Sequence, residues 1–288
     1  MYDIINESVI IQRKDGLHIM YKIIALDMDG TLLNDEKVIT QRTKDALIKA
    51  REKGVKVVLA SGRPVDGLKK YLKELNLVSD EEYVLSFNGS LVQKVKSEEV
   101  LYEIGLTGKD LHYLYDISQN LGVNIHAFST TKGLITPNIS KYTEVEANLN
   151  GIDINVCDFN EISEDEHIVK VMFIDDEKII DKVIKELPNE VEERYKVVRS
   201  APYFLEEINK ESGKATGLAA LAKYLNVSKD NIIAVGDAGN DLDMIQYAGL
   251  GVAMGNADES VKQVADYITA DNNNDGIAEV IEKFILND

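Results

Sequence analysis

The chain has 288 residues, 44% hydrophobic and 28% charged, with a formal net charge of −18. That length suits one large domain or two with a sizeable core. Such acidity excludes DNA, RNA and anionic membrane surfaces as electrostatic partners. The single cysteine, Cys157, excludes a disulfide framework and a cysteine-based zinc site. It reads as a small apolar side chain and fits a reducing cytoplasm. No apolar run approaches the ~20 residues of a membrane span. Residues 1–19 carry no signal-peptide pattern, because Arg13-Lys14-Asp15 interrupts them. They read as an N-terminal extension, with Val9-Ile10-Ile11 a candidate edge strand and Met20 an alternative start.

Ile23-Ile24-Ala25-Leu26 is a continuous apolar run that ends in Asp27-Met28-Asp29-Gly30-Thr31. Such a run predicts a strand buried on both faces of a parallel sheet. Asp27 and Asp29 then leave at its carboxyl end, where open α/β sheets bind ligands. Thr40 reads as the N-cap of a helix over 41–53, stopped by Gly54. A second buried strand, 55–60, ends in Ser61-Gly62-Arg63-Pro64. Pro64 is expected to open a helix striped by Leu68, Tyr71, Leu72 and Leu75. A third strand, 83–87, stops at the turn signal Asn88-Gly89. Strand, helix, strand, helix, strand is a doubly wound α/β beginning.

The rhythm then changes. Residues 90–104 read as two strands of mixed pattern, and Thr107 with Asp110 opens a helix through Leu121. Strands follow at 123–128 and 134–136, then a helix capped by Asn138 and stopped by Gly151. A strand at 168–174, a helix at 177–187 closed by Pro188, and strands at 195–199 and 204–208 complete a more polar section. We read 90–207 as an inserted α+β domain between core halves 20–89 and 208–288. The α/β rhythm resumes with a helix at 214–225 and the buried strand 231–236, which ends in Asp237. Helices at 240–248, 258–265 and 276–286 alternate with strands at 250–254 and 267–269.

Four clusters carry the candidate chemistry: Asp27 to Thr31, Ser61-Gly62-Arg63, Lys214, and Gly236-Asp237-Ala238-Gly239-Asn240-Asp241. Each alone has a bland reading as a turn or a solvated helix start. Parallel strands, however, bring their carboxyl ends to one edge. Asp27, Asp237 and Asp241 would there crowd together, and a hard divalent cation such as Mg²⁺ relieves that repulsion with few protein ligands. Lys214 and the hydroxyls of Thr31 and Ser61 are donors suited to a phosphoryl group. Backbone N–H groups from Met28 to Gly30 add to the cradle. No Ser-His-Asp or Cys-His unit is present, so a carboxylate nucleophile is the natural choice. A second acid two residues on suits proton transfer. His112, His126 and His167 show no metal-ligand spacing and read as structural or exposed, with a place in the substrate pocket as the alternative, and Tyr113, Tyr115, Phe128 and Phe204 read as core. Arg63 stays open between a helix-start residue and a substrate contact. Asn88 and Gly89 read first as a turn into the insertion and second as a substrate contact.

Taken together, Asp27-Met28-Asp29-Gly30-Thr31-Leu32-Leu33, Ser61-Gly62-Arg63-Pro64, Lys214 and the Gly236–Asp241 run resemble the four motifs of the haloacid dehalogenase superfamily. Ser86-Phe87-Asn88-Gly89, Val252-Ala253-Met254-Gly255-Asn256-Ala257 and Asn274-Asp275-Gly276-Ile277-Ala278 resemble its Cof-type phosphatases, which carry a large α+β cap. The resemblance covers about residues 20–287. It implies a Rossmann-like catalytic core with an inserted cap. It implies Asp27 as nucleophile and Mg²⁺ ligand, and Asp29 as general acid/base whose carbonyl also binds the metal. Ser61, the loop at Met28 and the Gly62 N–H would hold phosphoryl oxygens, with Asn240 at the phosphate. Lys214 would neutralise the phosphoryl group and Asp27. Asp237 would complete the carboxylate ligands, and Asp241 would orient Lys214 or the metal waters.

The expected function is Mg²⁺-dependent hydrolysis of a small cytoplasmic phosphate monoester through an aspartyl-phosphate. Sugar phosphates are favoured over pyridoxal phosphate and FMN. Two rivals stand beside it: a phosphotransferase or phosphomutase of the same superfamily, and a non-catalytic phosphate-ligand-binding regulator. Mg²⁺ with Lys214 would make the site locally positive inside a negative chain.

Overall fold

The computed structural model describes residues 20–287. The extension and its candidate edge strand lie outside them. In chain order the first elements are β1 (Ile23–Leu26), α1 (Gln41–Glu52), β2 (Lys56–Ala60), α2 (Val65–Glu74), β3 (Tyr83–Ser86), β4 (Leu91–Lys94) and β5 (Val100–Glu103). Next come β6 (Leu106–Thr107), α3 (Gly108–Leu121), β7 (Asn124–Ser129), β8 (Gly133–Thr136), α4 (Lys141–Asn150), β9 (Ile154–Val156) and β10 (His167–Ile174). Then α5 (Glu177–Glu186), α6 (Asn189–Arg194), β11 (Lys196–Ala201) and β12 (Phe204–Ile208) follow. The last are α7 (Lys214–Tyr224), β13 (Ile232–Gly236), α8 (Leu242–Tyr247), β14 (Leu250–Ala253), α9 (Glu259–Lys262), β15 (Tyr267–Ile268) and α10 (Gly276–Ile281).

Eight strands form one sheet in the order β15-β14-β13-β1-β2-β3-β4-β5. The first six are parallel, and β4 and β5 add an antiparallel hairpin. β1 and β13 are buried along their whole length, as their unbroken apolar runs require. One apolar layer gathers Leu47, Leu68 and Ile277 on one face of this sheet, and another gathers Leu218, Leu221 and Met244 on the other. The second, seven-stranded sheet runs β11-β12-β10-β7-β8-β9, with β6 paired to β10. Sequence pattern places β4 and β5 in the insertion, whereas their hydrogen bonds extend the first sheet. Both strands are short and mixed in character, and β5 is an edge strand with no fully buried position, so the parallel-sheet signal is absent from them.

Local chemistry explains most helix ends. Thr40 caps α1 by accepting the Thr43 N–H at 3.2 Å. Thr107 and Asp110 form a reciprocal capping box on α3, and Gly122 closes that helix in the left-handed conformation. Two expectations shift. Pro64 is the residue before α2 rather than its first turn, and Ser140, not Asn138, caps α4 by accepting the Thr143 N–H. Phe128 and Phe204 are buried, and so is His126, whose Nε2 lies 3.1 Å from Met172 Sδ.

Glu207 on β12 is the anomaly of the second sheet. It is fully buried opposite Val171 and Val197, and neither carboxylate oxygen has a hydrogen-bond partner among the described residues. Burial, with repulsion from Glu206, raises its pKa well above the ordinary carboxylate value. In the unfolded chain the group ionises above pH about 4.3. The native state therefore holds the extra proton, and the stability tied to this group falls as pH rises beyond that value. Glu207→Leu is expected to raise the unfolding free energy by about 1–3 kcal/mol at pH 8 and by less at pH 5 in urea titrations. An equal gain at both pH values, or a loss at pH 8, would count against this account.

Candidate active site

The sheet order reverses between β1 and β13. β2 and β3 build outward from β1, and β14 and β15 outward from β13. The register pairs Leu26 with Val235, so Asp27 and Asp237 leave adjacent strands at the same edge. Such a reversal opens a crevice at the carboxyl ends of the strands. Ser61 leaves β2 on the far side of β1 and is buried there. Residues more than 200 positions apart thus share one crevice.

Lys214 enters from the first turn of α7 and is fully buried. Its Nζ donates to Asp27 Oδ1 and, at 2.6 Å, to Asp241 Oδ1. Gly89 makes this approach possible. At φ +81° it sits against the start of α7, where a Cβ would lie 2.4 Å from the Gly213 carbonyl oxygen. The turn signal of the sequence is therefore also a seat for the catalytic-candidate lysine. Asp241 spends its other oxygen on the N–H groups of Asp237 and Ala238, both at 3.0 Å. It braces the loop that carries Asp237. Gly30, at φ +83°, clears Asp237, whose carboxylate oxygen a Cβ would meet at 2.4 Å.

The expected phosphate donors differ in what they touch. The Thr31 hydroxyl donates to Asp237 Oδ1 at 2.6 Å, so it ties the two acidic arms together. Ser61 Oγ accepts the Arg63 N–H at 3.2 Å. The Met28 side chain is buried in the core, which leaves only its backbone for a ligand. Asn240 donates to Asn88 Oδ1 at 3.1 Å, and Asn88 also lies against Gly62. Asn88 reads in the sequence first as a turn residue and second as a substrate contact; at a positive φ of 55° it lies between Asn240 and Gly62.

A match to the haloacid dehalogenase-like hydrolase family model spans residues 24–281. The chain belongs to the haloacid dehalogenase-like hydrolases. Relatives agree over almost the full length. "Putative phosphatase YxeH" of Bacillus subtilis (strain 168) is 42% identical, over 93% of this chain and 99% of its own. The 5-amino-6-(5-phospho-D-ribitylamino)uracil phosphatase YcsE of the same organism is 33% identical, over 96% of this chain and 99% of its own. A crystal structure of a haloacid dehalogenase-like hydrolase from Bacteroides thetaiotaomicron superposes with a TM-score of 0.81 at 38% identity, covering 91% of this chain and 99% of that one.

In this haloacid dehalogenase-like hydrolase the site is starved of positive charge. Asp27, Asp237 and Asp241 each place an oxygen within 4.8 Å of the others'. Burial pushes the Asp27 carboxyl up to about 7 against the pull of Lys214, and burial also raises Asp237. Burial alone would lower Lys214, but Asp27 and Asp241 hold it above its ordinary value. One ammonium among three carboxylates is a donor set that fits a hard divalent cation. Asp241 already serves Lys214 and two N–H groups, so Asp27 and Asp237 are the better-placed ligands.

Asp29 points elsewhere. Arg63 Nη2 grips both its oxygens, at 2.9 and 2.7 Å, and Lys37 Nζ reaches Oδ1 at 3.0 Å. Burial would raise this carboxyl, but the Lys37 bond and the Arg63 charge bring it below the ordinary value. Arg63 thus leaves its two open readings for a third, as the partner of Asp29. Phe87, just after β3, meets Phe128 of the second sheet edge-to-face, with ring centroids 5.1 Å apart. Lys170 lies buried between Glu146 at 3.7 Å and Glu206 at 3.3 Å. No sequence pattern marks that trio, because its members come from β10, α4 and β12 and meet only in the fold.

Proposed function

We propose that this hydrolase removes the phosphoryl group from small phosphorylated metabolites, with Mg²⁺ as cofactor and Asp27 as nucleophile. The observation that carries the reading is the buried Lys214 ammonium shared by Asp27 and Asp241 beside Asp237, at the switch point of a parallel sheet. Asp27 and Asp237, with the Asp29 carbonyl, would hold the ion. When bound, Mg²⁺ neutralises the phosphate and the nucleophile together.

In the first step an Asp27 oxygen attacks phosphorus and the bond to the ester oxygen breaks. Asp29, once released from Arg63 and Lys37, takes a proton from solvent and gives it to the departing alkoxide. In the second step Asp29 takes a proton from water, whose oxygen attacks the aspartyl-phosphate. Inorganic phosphate leaves and Asp27 is restored. Lys214, the Ser61 hydroxyl, the Gly62 N–H and Asn240 would hold phosphoryl oxygens throughout. The insertion, read as a cap, excludes bulk water during transfer. Arg63 must release Asp29 far enough for it to reach the leaving oxygen.

Polyhydroxylated phosphates, sugar phosphates foremost, are the substrates we favour; the phosphorylated ribityl chain named for YcsE supports that class. A cytoplasmic setting belongs to the same reading. No helix among the described residues is long and apolar enough to cross a membrane. The test is phosphate release from a panel of sugar phosphates, pyridoxal phosphate and FMN, with Mg²⁺ and with EDTA. Release is expected with Mg²⁺ and a loss of at least about 100-fold with EDTA. A panel without any release under Mg²⁺ would defeat the phosphatase reading. Transfer to an added sugar in preference to water would favour the phosphotransferase instead.

A further inference from the structure

The loop after β14 lies outside the four clusters, yet it reaches into the site. Its Met254 N–H donates to the Gly236 carbonyl at 3.0 Å, and its Asp258 N–H to the Asp237 carbonyl at 2.9 Å. It therefore moves with the Asp237 arm. From that loop Asn256 Nδ2 crosses to the Asp27 arm and donates to the Gly30 carbonyl at 2.8 Å. The other end of the same amide accepts the Asn272 N–H at 3.0 Å. Donor faces acceptor at both ends, so the amide has a single sensible orientation. Asn272, itself buried, grips the far end of the nucleophile loop, donating to the Leu33 carbonyl at 3.0 Å and to Asp35 Oδ1 at 3.2 Å.

We propose that Asn256 is a positioning residue that locks the Asp27 loop to the Asp237 arm through the Gly30 peptide. Gly30, at φ +83°, is the residue of that loop with the greatest backbone freedom. It is also the one residue there whose carbonyl Asn256 holds. The peptide is planar, so holding the Gly30 carbonyl also fixes the Thr31 N–H and the start of Thr31. Thr31 in turn places its hydroxyl on Asp237. The spacing between the two acidic arms, on which a shared cation depends, thus runs through one exposed asparagine. Asn272 keeps that asparagine turned the right way.

The inference rests on the phosphoryl-transfer reading for its kinetic consequence and on the carboxylate pair alone for its binding consequence. Full-length Asn256→Ala and Asn256→Leu test both. Mg²⁺ affinity is measured by calorimetry, kcat and KM by phosphate release, and melting temperature in EDTA. Both variants are expected to weaken Mg²⁺ binding and lower kcat by about tenfold, as small misplacements of reacting groups do, with a smaller change in KM. The metal-free melting temperature should fall by no more than about 4 °C, because Asn256 is solvent-exposed and gives up two hydrogen bonds rather than packing. Leucine fills the space without a donor, so recovery by Asn256→Leu would overturn the proposal in favour of packing. Mg²⁺ affinity and kcat of Asn256→Ala both within about twofold of wild type would overturn it outright. If the wild-type protein hydrolyses no ester, the phosphatase reading fails and the Mg²⁺ titration still decides this one.

Discussion

Asp27→Asn is expected to lower kcat by at least about 10³-fold while leaving the fold intact, as loss of a covalent nucleophile does in other enzymes. A carboxamide has almost the shape of a carboxylate, yet its oxygen is too weak a nucleophile to displace an alkoxide from phosphorus. The fold should tolerate the change because burial already raises the Asp27 carboxyl to about 7, so that folding favours its uncharged form more than water does, and the amide keeps its shape. Lys214 keeps Asp241 as its partner at 2.6 Å. The measurement is single-turnover hydrolysis with acid quench. Wild-type protein should trap an acyl-phosphate on Asp27 and the variant none, with unchanged circular dichroism. A variant that turns over at the wild-type rate would remove Asp27 from the role.

Lys214→Met should be the most damaging change to stability and activity together. The methionine fills much of the lysine's space but leaves Asp27 and Asp241 buried without their cation. Breaking a buried ion pair from one side costs roughly 3–5 kcal/mol, because a desolvated charge loses its partner. Loss of a preorganised positive charge at a phosphoryl group should lower kcat by about 10²–10³-fold as well. Asp27 already binds its proton more tightly than an unfolded aspartate, so the folded state is favoured as pH falls through about 7. The destabilisation of Lys214→Met should therefore be larger at pH 8 than at pH 6. Mg²⁺ should recover part of it by replacing the lost charge. Urea titrations in EDTA and in Mg²⁺ at the two pH values measure all of this. A loss under about 1 kcal/mol in EDTA would show that Lys214 does not carry the charge balance of the site.

Both expectations concern residues that stand out in the amino-acid sequence itself. The runs Ile23–Leu26 and Ile232–Val235 announce a doubly buried parallel sheet, since only that setting accepts unbroken apolar strands. The carboxylates that interrupt them at the carboxyl end mark the crevice, and the helix starts at Thr40 and Thr107 follow from side-chain caps that act within one turn. Such signals are local, and local chemistry is written in neighbouring residues.

Pairing across the fold is not written there. β4 and β5 join the first sheet because of what lies beside them in space. Thr31 looks like a phosphate donor by type, but the partner that takes its hydroxyl is Asp237, 206 positions away. Arg63 has two plausible roles until the fold sets it against Asp29. Asn88 and Gly89 read as a turn, and only the approach of α7 makes Gly89 the seat of Lys214. The Lys170 trio and the unpartnered Glu207 are polar residues that burial, not composition, makes consequential. Residue types and strand ends therefore name the chemistry of this hydrolase, whereas the division of work among its acids comes from tertiary contacts. Desolvation and charge pairing depend on neighbours distant in the chain, and these set which acid is charged and which cation holds it.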